Sequence, residues 1–236
     1  MLAVTKRDGR SEKESTLSQL RGEPPEEKDG ASNFVSIIVL AAGLSSRFGR
    51  NKLLEPIGAT PMIERVVSEA LNSKAKQVII VVGNDPEKIG RAVKDYPCEI
   101  VFNEEFAKGQ SFSVRKGLSR VRDDADAVMV LPGDVALTDR TIIDAVIDEY
   151  ASCRAPIVAA SYHGRSGHPI LFDRGLLGEL KGIDEETRGL KKVVSNHKSH
   201  LRLVETSERA LLDIDRLEDL QRLKDVSSRS SASISP

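Results

Sequence analysis

Cysteine is scarce in this chain: only Cys98 and Cys153 occur among 236 residues. Two isolated thiols exclude a zinc cluster or a disulfide framework and suit a reducing cytosol, as small buried side chains. Charge of one sign is missing as well. Lys and Arg number 35 against 36 Asp and Glu, a net charge of −1, and no basic tract supplies the electrostatic footprint that nucleic acid requires. No apolar run reaches the roughly 20 residues that span a bilayer, and the first residues mix basic and acidic groups, unlike a signal peptide. No internal repeat is evident. The expectation is a soluble, cytoplasmic protein that binds neither nucleic acid nor membrane, so any anion binding must come from a local site.

The length fits one domain with a sizeable core, framed by two polar tails. Residues 1–33 are charged, poor in large apolar side chains and interrupted by Pro24-Pro25, so they read as a disordered arm. The low-complexity end, 226–236, reads as a disordered tail. Between them, over 34–225, strand-like runs alternate with helical patterns. Strands are expected at 37–40, 77–82, 99–102, 127–131 and 157–160. Helices are expected from Pro61 to Asn72, Asp85 to Val93, Ser111 to Val121 and Asp139 to Tyr150. That order implies an α/β fold with a mostly parallel sheet flanked by helices. From Gly164 the rhythm breaks into an extended HPILF run, two short helices and further strands at 201–204 and 210–214. This section reads as a small C-terminal lobe with antiparallel pairing.

Two better-known phosphate loops are absent. Walker A needs four residues between its glycines, whereas five separate Gly43 from Gly49; no Gly-x-Gly of a dinucleotide fingerprint occurs here either. What is present is IIVLAAGLSSRFGRNK over residues 37–52. A buried strand runs into a loop that is nearly bare at Ala41, Ala42 and Gly43, so a ligand can approach the backbone N–H groups, an anion site. Ser45 and Ser46 add hydroxyls, Arg47 a planar fork and Lys52 a point charge. The stretch predicts a polyphosphate ligand, held outside the carboxyl ends of the strands. Residues 128–134, VMVLPGD, repeat the logic: an apolar strand, a turn, then Asp134. Mg²⁺ favours one or two carboxylates plus substrate phosphates and waters. Leu211-Leu212-Asp213-Ile214-Asp215 reads as a short strand ending in an acid, on which Asp213 and Asp215 share a face. The residues alone leave open which of the two is a ligand.

The pattern L-A-A-G-x-S-x-R-F-G-x-x-K resembles the signature of the nucleotidyltransferase superfamily, in particular the molybdenum cofactor cytidylyl- and guanylyltransferases. The resemblance extends over roughly Ser36 to Leu223, with the motifs in family order. It implies a Rossmann-like, nucleotide-diphospho-sugar transferase fold. It also implies transfer of a nucleotidyl group from an NTP to a small phosphorylated acceptor, with release of pyrophosphate. By the match, Arg47 and Lys52 are catalytic. Leu40, Ala41, Ala42, Gly43, Ser45, Gly83 and Ser113 bind nucleotide, and Arg115, Gly167 and His168 face the acceptor. Asp134 and Asp215 hold Mg²⁺, Asp215 matching the second acid of the family's D-I-D/N-x-P-E-D segment. Two departures stand out: Ala136 where the family's G-D-x-P has proline, and Arg216-Leu217 where Thr-Pro is usual. The second alanine of L-A-A-G, Phe48 after Arg47, and the G-x-x-G-H-P segment at 164–169 look more like the cytidylyl branch. CTP, a molybdopterin-type acceptor and a molybdoenzyme receiving the product are thereby implied. The alternatives are a GTP-using guanylyltransferase, a sugar-phosphate nucleotidyltransferase, or a nucleotide-binding module without catalysis.

Overall fold

The computed structural model describes residues 33–46, 48–214 and 218–219. The tails expected at 1–33 and 226–236 lie outside the described residues, apart from Asn33. The first strand, β1 (Val35–Ala41), is buried at every position, as a β-branched run covered on both faces should be. A 3-10 turn (Lys52–Leu54) and a minimal hairpin, β2 (Pro56–Ile57) and β3 (Thr60–Pro61), lead into α1 (Met62–Leu71). Then come β4 (Gln77–Val82), α2 (Pro86–Ala92), β5 (Glu99–Phe102), α3 (Gln110–Leu118), β6 (Ala127–Pro132) and α4 (Arg140–Cys153). The last part comprises β7 (Ile157–Tyr162), β8 (Arg165–Asp173), α5 (Leu177–Lys181), α6 (Leu190–Asn196) and β9 (Leu201–Glu205). Asp139 caps α4 by accepting from the N–H groups of Thr141 and Ile142, which fixes where that helix starts.

Seven strands form one sheet in the order β5-β4-β1-β6-β8-β7-β9. β1 pairs in parallel with β4 and β6, and β4 with β5. β8 runs antiparallel between β6 and β7, and β9 extends β7 in parallel. The antiparallel pairing expected of the C-terminal section is therefore built into the main sheet. Strand alternation splits the core into two layers. Ile37, Val39, Ile80 and Met129 pack under α1, α2 and α4; Ile38, Ile79, Val81 and Val130 pack against Val114 and Leu118 of α3 and Leu180 of α5. Gly117 lets α3 lie this close, because a Cβ there would stand 2.5 Å from Ile38 Cγ2.

Two expectations need correction. The run 210–214 is not a strand: Glu208–Leu211 form a 3-10 turn and the chain then continues irregularly. Its apolar residues are anchors, with Ala210 and Ile214 buried and the Ile214 N–H donating to the Asp134 carbonyl at 3.2 Å. Nor are both cysteines buried. Cys98 is half-buried, with its thiol pKa pushed up by burial, and Cys153 is exposed at the end of α4.

Candidate active site

The parallel strands β1, β4, β5 and β6 all end at the same edge, and their following loops build the site. The carboxyl ends of β1 and β6 are tied by the Gly133 N–H donating to the Leu40 carbonyl at 2.9 Å. The loop after β1 folds back on itself. The Phe48 N–H donates to the Ser45 carbonyl at 2.8 Å, and the Lys52 N–H to Ser45 Oγ at 3.2 Å. Asn51, buried, caps the 3-10 turn through the Leu53 N–H and reaches the Asn84 carbonyl at 3.4 Å. These contacts hold Lys52 at the mouth of the loop.

A cavity of about 380 Å³ opens there. It gathers Leu40, Ala42, Gly43, Ser45, Lys52, Ser113 and Asp134 out of the residues expected from the sequence. Lys52 Nζ donates to Asp134 Oδ2 at 2.7 Å, with both side chains largely buried. The pair places one cation and one carboxylate side by side against bare loop backbone. Gly43 contributes open space, for a Cβ there would meet nothing within 4 Å. Asp134 suits a divalent cation whose remaining ligands are phosphate oxygens and water. Among the described residues no cluster of three or more His, Cys, Asp or Glu offers an all-protein cage. The loop after Asp134 is well anchored although Ala136 stands where proline was expected. Val135 and Ala136 are buried, and the Ala136 carbonyl accepts from Arg65 Nε at 3.4 Å.

Other expected residues take different places. Ala41 faces the core. Gly83 lies behind the cavity wall: a Cβ on it would overlap the Phe106 side chain and stand 2.9 Å from Ala42 Cβ. Gly167 fits against the Ala210 backbone, whose carbonyl carbon would lie 2.8 Å from an added Cβ. Arg115 lies over the Phe112 ring, 4.8 Å from its centroid. His168 is half-buried and its Nδ1 has no partner among the described residues. Burial holds its pKa below the usual histidine value; the Asp134 carboxylate opposes that and Lys191 adds to it. At the start of α3 the Ser111 N–H is already taken, donating to Glu185 Oε1 at 2.6 Å. Arg47 and Asp215 lie outside the described residues.

Sequence reasoning missed Asn51, Asn103, Phe106 and Gln110. Asn103 directly follows β5, at the edge where ligand loops gather, and that position was its available signal. No helix among the described residues is long and apolar enough to cross a membrane.

Comparison with known proteins places this geometry. Residues 37–201 match the family model described as the MobA-like NTP transferase domain. The bifunctional protein GlmU of Desulfotalea psychrophila is 28% identical over 159 residues, 65% of this chain and 46% of that protein. GlmU of Alkalilimnicola ehrlichii is 33% identical over 117 residues, 49% of this chain and 25% of that protein. The chain thus spans less than half the length of these curated relatives. Among solved structures, Rv0371c of Mycobacterium tuberculosis H37Rv is 25% identical with a TM-score of 0.73, covering 82% of this chain and 98% of that one. A nucleotidyl transferase from Methanothermobacter thermautotroptrophicus, Mth528, is 21% identical with a TM-score of 0.72, over 84% and 99%. The latter likeness is one of fold. With residues 37–201 matched, well over half of its length, the chain belongs to the MobA-like NTP transferase domain family.

Proposed function

We propose that this protein transfers a nucleotidyl group from an NTP to a small phosphorylated acceptor and releases pyrophosphate. The observation that carries the reading is the juxtaposition, in one cavity, of the bare Ala42-Gly43 loop with Lys52 and Asp134. Loop amides and a buried cation suit a triphosphate, and a carboxylate beside them suits the metal that accompanies it. In the proposed reaction an acceptor phosphate oxygen attacks the α-phosphorus in line. The new P–O bond forms as the α–β anhydride breaks, and the electron pair leaves on pyrophosphate. The acceptor is already an anion at neutral pH, so no strong general base is required. Catalysis is then positioning plus neutralisation of charge on the equatorial oxygens. We assign Lys52 to the α-phosphate and Arg47 to the departing β,γ-phosphates, with the loop amides orienting the chain of phosphates.

Asp134 and Asp215 would hold Mg²⁺, which when bound supplies neutralising charge to the phosphates. A manganese complex of the Mycobacterium tuberculosis neighbour, 24% identical with a TM-score of 0.69, supports divalent-metal use. For the finer assignment we propose CTP as donor and a molybdopterin-type acceptor, with a molybdoenzyme receiving the product. The reading rests on the L-A-A-G, Phe48 and G-x-x-G-H-P features of the sequence. The test is pyrophosphate release with each of the four NTPs, with and without molybdopterin cofactor. Release that depends on CTP and on that acceptor supports the full reading. Release with another NTP or a sugar phosphate retains nucleotidyl transfer and replaces the substrates. No release under any combination overturns it.

A further inference from the structure

Asn103 directly follows β5 and is buried, with 2% of its surface exposed. Its backbone N–H donates to the Val82 carbonyl at 2.8 Å. Its side chain is held at both ends. Oδ1 accepts from the Glu105 N–H at 3.0 Å. Because that partner can only donate, the orientation of the amide is determined, and Nδ2 must face the other way. There it donates to Ser113 Oγ at 3.0 Å, within the buried interior of the site wall. Ser113 sits on α3 and lines the cavity.

A serine hydroxyl has one proton and two lone pairs. In a helix the proton often goes back to the carbonyl four residues earlier, here Gly109. Ser113 makes no such bond, and among the described residues nothing accepts its proton. With an N–H filling one lone pair, the proton and the second lone pair remain, and the cavity is the open direction for the proton. Charge in the cavity wall resides on Lys52 and Asp134 among the described lining residues. Phe106, Ala107, Gln110 and Ser113 are neutral. A neutral wall with one aromatic ring suits the base of a nucleotide better than its phosphates.

We propose that Asn103 is a positioning residue that, by filling one lone pair of Ser113 Oγ, biases the hydroxyl to donate into the cavity. The site thereby selects nucleotides whose base presents an acceptor, a carbonyl oxygen or an unprotonated ring nitrogen, at that point. This deepens the nucleotidyl-transfer reading and rests on the same cavity. A base that brings an N–H to the same place must use the second lone pair and turns the Ser113 proton away from the cavity, where no acceptor among the described residues awaits it, so the site disfavours that base.

Asn103→Asp tests the polarity directly. The shape is kept and the Glu105 N–H stays satisfied, but both oxygens now accept. The Ser113 proton turns inward to the carboxylate, and the hydroxyl shows lone pairs to the ligand. Binding of ATP, GTP, CTP and UTP is measured by calorimetry with Mg²⁺ for wild type, Asn103→Asp, Ser113→Ala and the double variant. Asn103→Asp should weaken the preferred nucleotide roughly tenfold, compress the differences among the four, and raise KM for the NTP without changing KM for the acceptor. In the Ser113→Ala background the same substitution should have no further effect on binding.

Equal losses in both backgrounds, or an unchanged preference, overturn the proposal, since a role in stability alone would act regardless of Ser113. If Asn103→Asp does not fold, Ser113→Ala carries the test alone: a loss of preference supports the proposal and wild-type affinity overturns it. Wild-type binding without pyrophosphate release sinks the nucleotidyl-transfer reading and leaves this one standing. Wild-type protein that binds none of the four sinks both.

Discussion

Gly43 and Gly83 are both small residues beside the cavity, and replacing each with alanine should have opposite consequences. At Gly43 the added Cβ meets no protein atom within 4 Å, so the folded state tolerates it. The unfolded chain loses freedom, which stabilises by about 0.4 to 1 kcal/mol. For a domain of this size that raises Tm by roughly 1 to 4 °C. The space it fills belongs to the cavity, where phosphates would approach the loop amides. Displacing one charge-assisted hydrogen bond costs about 1.5 to 3 kcal/mol, roughly 10- to 100-fold in nucleotide Kd.

At Gly83 the Cβ collides with Phe106 and crowds Ala42. Overpacking of that kind costs about 1 to 3 kcal/mol, a Tm lowered by roughly 2 to 12 °C. Adding Phe106→Ala to Gly83→Ala should restore part of the loss. Differential scanning fluorimetry and calorimetric titration with each NTP give both quantities for all variants. A Gly43→Ala protein that binds nucleotide within twofold of wild type would refute the assignment of that empty space to ligand. So would a Tm that falls as far as in Gly83→Ala.

Three further outcomes are expected. Lys52→Met should lower kcat about 100- to 1000-fold, the cost of one preorganised charge at a transition state, with secondary structure by circular dichroism intact; turnover within twofold of wild type would remove Lys52 from the chemistry. Gly167→Ala should destabilise by about 1 to 3 kcal/mol, because β8 and the 208–211 turn must part at the Ala210 carbonyl; an unchanged urea midpoint would show that the contact relaxes freely. Tyr150 donates to Asp173 Oδ2 at 2.6 Å, and burial first, then that bond, pushes its pKa up to about 12. An unfolded tyrosine loses its proton near pH 10, so stability should fall as pH rises from about 10 towards 12. Tyr150→Phe should lack that decline in urea melts, and equal slopes in the two proteins would exclude Tyr150 as its source.

Much of the fold was legible because periodicity was strong. The strands at 77–82 and 99–102 have the expected bounds, and β1 and β6 contain the expected runs at 37–40 and 127–131. That the loop after β1, Lys52 and Asp134 meet at one cavity was legible from residue type alone, because bare backbone, a cation and an acid stand at adjacent strand ends. The segment at 210–214 misled because its alternation looks like a strand. There Ala210 docks on Gly167 and the Ile214 N–H serves Asp134, contacts that depend on partners more than forty residues away. At Gly83 the packing of Phe106 where a Cβ would stand was not legible, since that neighbour lies on another loop. Asn103 and Glu185 were invisible because their value lies in which backbone N–H each reaches, and no local pattern encodes that.

The place of β8 affects how the molecule can be made. β7 takes its hydrogen bonds from β8 and β9 and reaches β6 only through β8. A chain emerging from the ribosome as far as Tyr162 therefore has β6 with one bare edge and β7 with no partner. Those edges carry residues as apolar as Val128, Val130 and Ile157, and exposed apolar edges invite pairing with other chains. Closure waits for residues 165–173 to thread between two strands already made, a long-range step that slows folding. The tie from the Ile214 N–H to the Asp134 backbone carbonyl comes later still, so the main chain that carries this acid receives its last support only after β8 and β9 are made.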